Sequence, residues 1–259
     1  MVFSETAIAS YLAGFLWPLM RIGAVFMAAP IFASRQVPVR WRAALTLVIT
    51  LIVMPILPPA PVVETFSHEA MLIALQQIAI GVMMGFMLQL VFAAVVFAGQ
   101  VMAYSMGLGF ASMMDPQNGV QVPVVSQFYL ILVTLLFLTL NGHLILIELV
   151  IDSFQTVPIA VDGLSRNTLW DIAIWGGRVF SGGLLIALPL VTALLVVNLG
   201  MGIITRAAPQ LNIFAVGFPM TMMIGFVVMW ATLPNVLHNF GELVSESFQF
   251  LMHHLQIVR

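Results

Sequence analysis

Cysteine and lysine are both missing from the 259 residues, and only 7% of the chain is charged. The absence of cysteine excludes disulfides, thiolate metal sites, a cysteine nucleophile and a palmitoyl or lipoprotein anchor. It leaves the redox compartment open. All eight basic residues are arginines, scattered along the chain and set against ten acids for a net charge of −2. Nothing resembles the basic patch with which nucleic-acid binders track phosphates, so DNA and RNA are excluded as ligands. With an ordinary soluble domain carrying about 25% charged residues, this chain cannot build a water-soluble surface.

What is present is apolar: 62% of residues are hydrophobic and the mean hydropathy is +1.12. Six apolar segments can be marked, Thr6–Phe32, Ala43–Leu57, Ala70–Met106, Val124–Ile151, Ile172–Ile204 and Ile213–Leu233. Several reach the ~20 residues that a helix needs to cross a ~30 Å hydrocarbon layer, which indicates an all-helical membrane-type protein. The N-terminal stretch carries Glu5 and lacks a small-residue cleavage site, so the first segment reads as a retained helix. The intervening breaks hold Arg35, Pro38, Arg40 and Arg42, then Pro58, Pro59 and Pro61, then Asp115-Pro116 with Asn118-Gly119, then Asp162-Gly163, and last Arg206 with Pro209.

Charge divides these loops. Arg35, Arg40, Arg42 and Arg206 lie in the first and last connections, whereas Glu5, Glu64, Glu69, Asp152, Asp162, Glu242 and Glu246 lie at the termini or in the second and fourth. Six crossings place the two sets on opposite sides, and the positive-inside bias then puts both termini outside. Segment lengths are uneven. Ala43–Leu57 has 15 residues, while Ala70–Met106 would extend about 55 Å as helix, which predicts tilted, broken or hairpin helices. Gly81, Gly85, Ala93, Ala94, Ala98 and Gly99, and Gly176, Gly177, Gly182 and Gly183, offer close-approach surfaces either to other helices of the chain or to a neighbouring subunit. From Pro234 onward, Val236, Leu237, Phe240, Leu243, Val244, Phe248, Leu251 and Leu255 oppose Asn239, Glu242, Ser245, Glu246 and Gln249. This is an amphipathic helix that wants a partner surface.

Catalytic patterns are missing. The five histidines make no H-E-x-x-H, and the adjacent His253 and His254 point about 100° apart on a helix, a poor arrangement for joint ligation. No cofactor is expected. Asn141-Gly142-His143 and Glu148 form the most polar stretch of the fourth segment, and Arg21 and Arg178 are candidate ion-pair partners for Glu148, because an unpaired buried charge is costly. A proton relay at Glu148 is the rival reading. Gly107-Leu108-Gly109-Phe110 lacks the third glycine and the lysine of phosphate loops, so nucleotide binding is rejected. The stretch still stands out, because Met106, Gly107, Gly109, Met113, Met114, Asp115, Pro116 and Pro123 cannot continue a helix and would be costly against lipid. It reads either as a re-entrant, pore-closing loop or as an ordinary loop outside the membrane. The 18 methionines either fill helix interfaces or form an adaptable seal.

Several motifs resemble the FliR family of flagellar export proteins and its type III secretion counterparts. They are Arg21-Ile22 with Ala29-Pro30-Ile31-Phe32, Val37-Pro38-Val39-Arg40, Gly107 to Ala111 with Asp115-Pro116, and most specifically Arg206-Ala207-Ala208-Pro209-Gln210-Leu211-Asn212-Ile213-Phe214 with Gly217 and Pro219. They occur in the family's order along the whole chain. The resemblance implies an export-gate subunit, with no catalytic residue, that joins FliP- and FliQ-like subunits in a closed spiral ring. Unfolded polypeptides would pass through that ring, with FlhB- and FlhA-like proteins attached, at the inner membrane within the flagellar basal body. It further implies a FliP-like region over residues 1–165 and a FliQ-like hairpin with its amphipathic helix over 166–259. Residues 106–122, with Met106, Gly107, Leu108, Gly109, Phe110, Met113, Met114, Asp115 and Pro116, match the family's plug position. Arg206, Pro209, Gln210, Asn212, Gly217 and Pro219 are implied as structural motif residues. A stand-alone secondary transporter, which ought to show inverted repeats and a midplane ion site, is the alternative; an intramembrane enzyme is remote.

Overall fold

The computed structural model describes residues 5–34, 37–61, 63, 67–108, 124–161, 163–207 and 213–257. Among these the protein is helical, without strands. The helices are α1 (Glu5–Ala28), α2 (Val39–Val53, continued by a 3-10 turn over Met54–Ile56), α3 (His68–Ser105), α4 (Val124–Thr139), α5 (Gly142–Thr156), α6 (Arg166–Trp175), α7 (Arg178–Ala207) and α8 (Ile213–His254). Among the described residues five helical stretches are long and apolar enough to cross a membrane, or six when α4 and α5 count as one broken span. The apolar segmentation expected from sequence is therefore present.

Three boundaries differ from expectation, the fifth segment, Ile172–Ile204, beginning in α6 and being interrupted at Gly176–Gly177 before α7. The fourth apolar segment is two helices, because the chain breaks at Leu140–Asn141 and Asn141 takes the left-handed conformation, φ 56°. Asparagine tolerates that region and the following glycine adds freedom, so Asn141-Gly142 acts as punctuation inside an apolar run. In the opposite sense, the amphipathic tail is not a separate element: α8 runs 42 residues through Pro219 and Pro234. Proline removes one donor from the ladder, and side-chain packing on either side carries the helix past the gap.

The chain packs as two compact units that are discontinuous in sequence. The first comprises Met1–Leu90, Leu140–Gly176 and Ser245–Arg259, and the second Val91–Thr139 and Gly177–Val244. This grouping by packing is a different kind of division from the family-derived one at residue 165.

In the first unit α1 lies against α3 where glycine lets backbones meet. A Cβ at Gly85 would sit 2.6 Å from that of Ala28, and one at Gly81 would collide with the carbonyl of Arg21. Ile22, Val25, Phe26, Ile80, Met84, Met87 and Leu88 are buried there. Arg42 ties the α1–α2 connection by donating to the carbonyls of Ser34 (2.6 Å) and Val37 (2.9 Å). Ser165 caps α6 through the Thr168 N–H at 3.0 Å. The far end of α6 meets the C-terminal turn of α8, with His254 Nε2 3.1 Å from Asp171 Oδ2 and the Trp175 ring 6.4 Å from Phe250.

The second unit centres on three rings. Phe92 meets Phe137 and Phe240 edge-on at 5.8 and 5.4 Å. A Cβ on Gly99 would lie 2.8 Å from Ser126 Oγ, one on Gly183 would lie 2.6 Å from the Ala94 carbonyl, and one on Gly182 would touch Leu243 at 3.0 Å. These glycines serve packing within the chain. Val236, Phe240, Leu243 and Val244 are buried in this unit and Phe248, Leu251 and Leu255 in the first, so the amphipathic tail finds its partner surface in its own polypeptide. Met102 and Met106 are buried here, as Met83, Met84 and Met87 are in the first unit, which makes these five interface fillers.

Candidate functional site

Two stretches that the sequence marks separately come together in the second unit. α3 ends in a Schellman motif: the Leu108 N–H donates to the Ala103 carbonyl and the Gly107 N–H to that of Tyr104, both at 3.0 Å, with Gly107 left-handed at φ 81°. Glycine is required here twice over. The left-handed backbone disfavours any other residue, and a Cβ would approach the Phe218 ring of α8 to 3.0 Å. One residue earlier, Met106 is 0% exposed and crosses Gly225 so closely that a Cβ on Gly225 would lie 2.7 Å from Met106 Cγ. The stem of the candidate loop is thereby held against the first turns of α8.

Those turns carry Gly217, which is buried, and Pro219, which is exposed. Leu108 is half-buried beside the stem. Arg206 is exposed in the last turn of α7, where a cation suits the negative end of the helix dipole. Gly109, Phe110, Met113, Met114, Asp115, Pro116, Pro209, Gln210 and Asn212 lie outside the described residues. Phe218 and Gly225 carry no motif that sequence reading could single out, since an aromatic and a glycine in an apolar helix are ordinary.

The remaining candidates are the ion-pair residues. Arg21 is fully buried in the first unit. Its guanidinium donates from Nε to Gln77 Oε1 at 2.8 Å, from Nη1 to the Ser153 carbonyl at 2.9 Å and Oγ at 3.0 Å, and from Nη2 to the Val157 carbonyl at 2.9 Å. The Phe154 ring lies 4.1 Å from the guanidinium carbon. All four acceptors are neutral oxygens. Glu148 is exposed on α5, and Arg178 is exposed at the start of α7. Gln77 and Ser153 went unnoticed in the sequence, although a Gln-Gln pair inside an apolar helix is a visible signal of buried polar work.

Among the described residues no three His, Asp or Glu side chains gather as a metal-binding group. The arrangement is one of packing, hinges and helix ends. Residues 12–247 match the family described as bacterial export proteins, family 1. The chain is 43% identical over 242 residues to the flagellar biosynthetic protein FliR of Escherichia coli (strain K12), covering 93% of this chain and 92% of that one. It is 40% identical to FliR of Pectobacterium carotovorum subsp. carotovorum, over 97% of this chain and 96% of that one. To FliR of Bacillus subtilis (strain 168) it is 31% identical, over 83% and 84%. The apolar helices with their glycine contacts, and a match that runs nearly from end to end, lead to one assignment: this chain belongs to family 1 of the bacterial export proteins, the family of the flagellar biosynthetic protein FliR.

Proposed function

We propose that the chain is an export-gate subunit of the flagellar type III secretion apparatus in the bacterial inner membrane. It joins FliP- and FliQ-like subunits around a conduit for unfolded flagellar polypeptides, and FlhB- and FlhA-like proteins attach to that assembly. Residues 1–165 take the FliP-like place and 166–259 the FliQ-like place, with both termini on the periplasmic side. The chain contributes architecture and no catalysis.

The observation that carries this reading is the apolar face that α7 and the first half of α8 leave uncovered. Phe180, Leu195, Leu199, Ile203, Met223, Val227 and Trp230 are all more than half exposed, Trp230 to 78%. A surface of this extent on a membrane-type protein calls for lipid or for other helices, and membership of an export family favours other helices. Co-expression with FliP- and FliQ-like partners in mild detergent is expected to give one large particle, whereas the chain alone stays small. A purified single chain that moves a small solute across vesicles unaided would overturn the proposal in favour of a secondary transporter.

Loop 106–122 is the candidate plug. The support is the anchoring of its stem by Phe218 and Gly225, which leaves a glycine hinge where the chain departs α3. Deleting residues 107–121 is expected to make the assembled gate leak ions, measured as dye or ion flux in reconstituted vesicles. An unaltered seal would remove the plug.

A further inference from the structure

Arg21 is a cation buried in a helix whose neighbours are almost entirely apolar. Burial of a guanidinium is costly and is tolerated only where its donors are met. Its partners lie 56, 132 and 136 residues away in sequence. Two of them are the carbonyls of Ser153 and Val157, at the C-terminal end of α5. The cation therefore closes the negative end of α5 and fixes the point at which the chain leaves it.

The far end of the same connection is held from the next residue of α3. Gln76 Oε1 accepts from the Leu164 N–H at 3.2 Å, immediately before the Ser165 cap of α6. Gly163 lies so close that a Cβ there would come within 2.8 Å of that oxygen. Adjacent residues on a helix point about 100° apart, so Gln77 reaches toward α1 and Arg21 while Gln76 reaches toward residues 163–164. We propose that Arg21, Gln76 and Gln77 form a clamp that grips the Val157–Leu164 connection at both ends and thereby positions α6. The clamp acts at the stretch where the family resemblance puts the junction of the FliP-like and FliQ-like parts, but it stands on these contacts alone and does not need the export reading.

The chain has no cysteine, so one introduced thiol is a unique label. Ile159→Cys places it in the connection at a site 8% exposed, and Val25→Cys places a control in the core at 2%. N-ethylmaleimide labelling is followed on the full-length chain in membrane vesicles. Gln76→Ala and Gly163→Ala are each expected to speed labelling of Ile159→Cys about tenfold with Val25→Cys unchanged, as for local opening, and Arg21→Lys to speed labelling at both positions. The hydrogen bond that Gln76→Ala removes is the one to the connection, so the test stands even if Arg21→Lys does not fold. Unchanged labelling at position 159 in all three, or a parallel rise at position 25 with Gln76→Ala, would overturn the clamp.

Discussion

Arg21→Met is expected to destabilise the folded chain by about 2–4 kcal/mol, and Arg21→Lys by a comparable amount. Losing the guanidinium strips Gln77 Oε1 and the Val157 carbonyl of their donor. Ser153 keeps other bonds, because its carbonyl also accepts from the Val157 N–H at 2.9 Å and its hydroxyl donates to Val150 at 2.6 Å. One buried acceptor on Gln77 and one part-buried carbonyl on Val157, at about 1–3 kcal/mol each, set the scale of the loss. Lysine keeps the desolvation cost and cannot span acceptors on α3 and α5 at once, since its ammonium is a point charge and not a planar fork. The measurement is the thermal midpoint of each variant in mild detergent. A lysine variant as stable as the parent would show that the fork geometry contributes nothing.

The second large effect concerns assembly. Gly200→Trp and Gly202→Trp are each expected to lower the yield of the particle formed with FliP- and FliQ-like subunits tenfold or more, while leaving the isolated chain in the membrane at its normal level. Nothing among the described residues lies within 4 Å of where a Cβ would stand at either glycine, so a side chain can leave either position without meeting the chain's own helices. A lipid tail would yield to it too, whereas a close-packed neighbouring helix would not. Co-purification of tagged partners gives the readout. A full yield of particle from both variants would mean that this end of α7 faces lipid.

The two expectations differ in how far they could be read from the residues. The uncovered face of α7 and α8 follows from composition, since 30- and 42-residue helices of this hydropathy must meet lipid or protein. The amphipathic spacing after Pro234 likewise marks most of its buried side, Val236, Phe240, Leu243, Val244, Phe248, Leu251 and Leu255, while Leu237 is only half-buried and Ser247, which the pattern does not include, is buried. The settings of Arg21 were not legible. The cost of burial alone points to Glu148 as its partner, whereas the structure places neutral oxygens of Gln77, Ser153 and Val157 around it.

Local pattern alone determined that this chain is helical and apolar, where most of its segments begin and end, and which family's motifs it carries, because hydrophobic period and turn residues act over a few positions. Only the tertiary structure decided that Asn141 breaks a helix while Pro234 does not, that the glycines of α3 serve internal contacts, and that Gly107 meets Phe218. Each of those outcomes depends on what packs alongside, and helix-to-helix contact joins residues whose separation along the chain leaves no periodic trace.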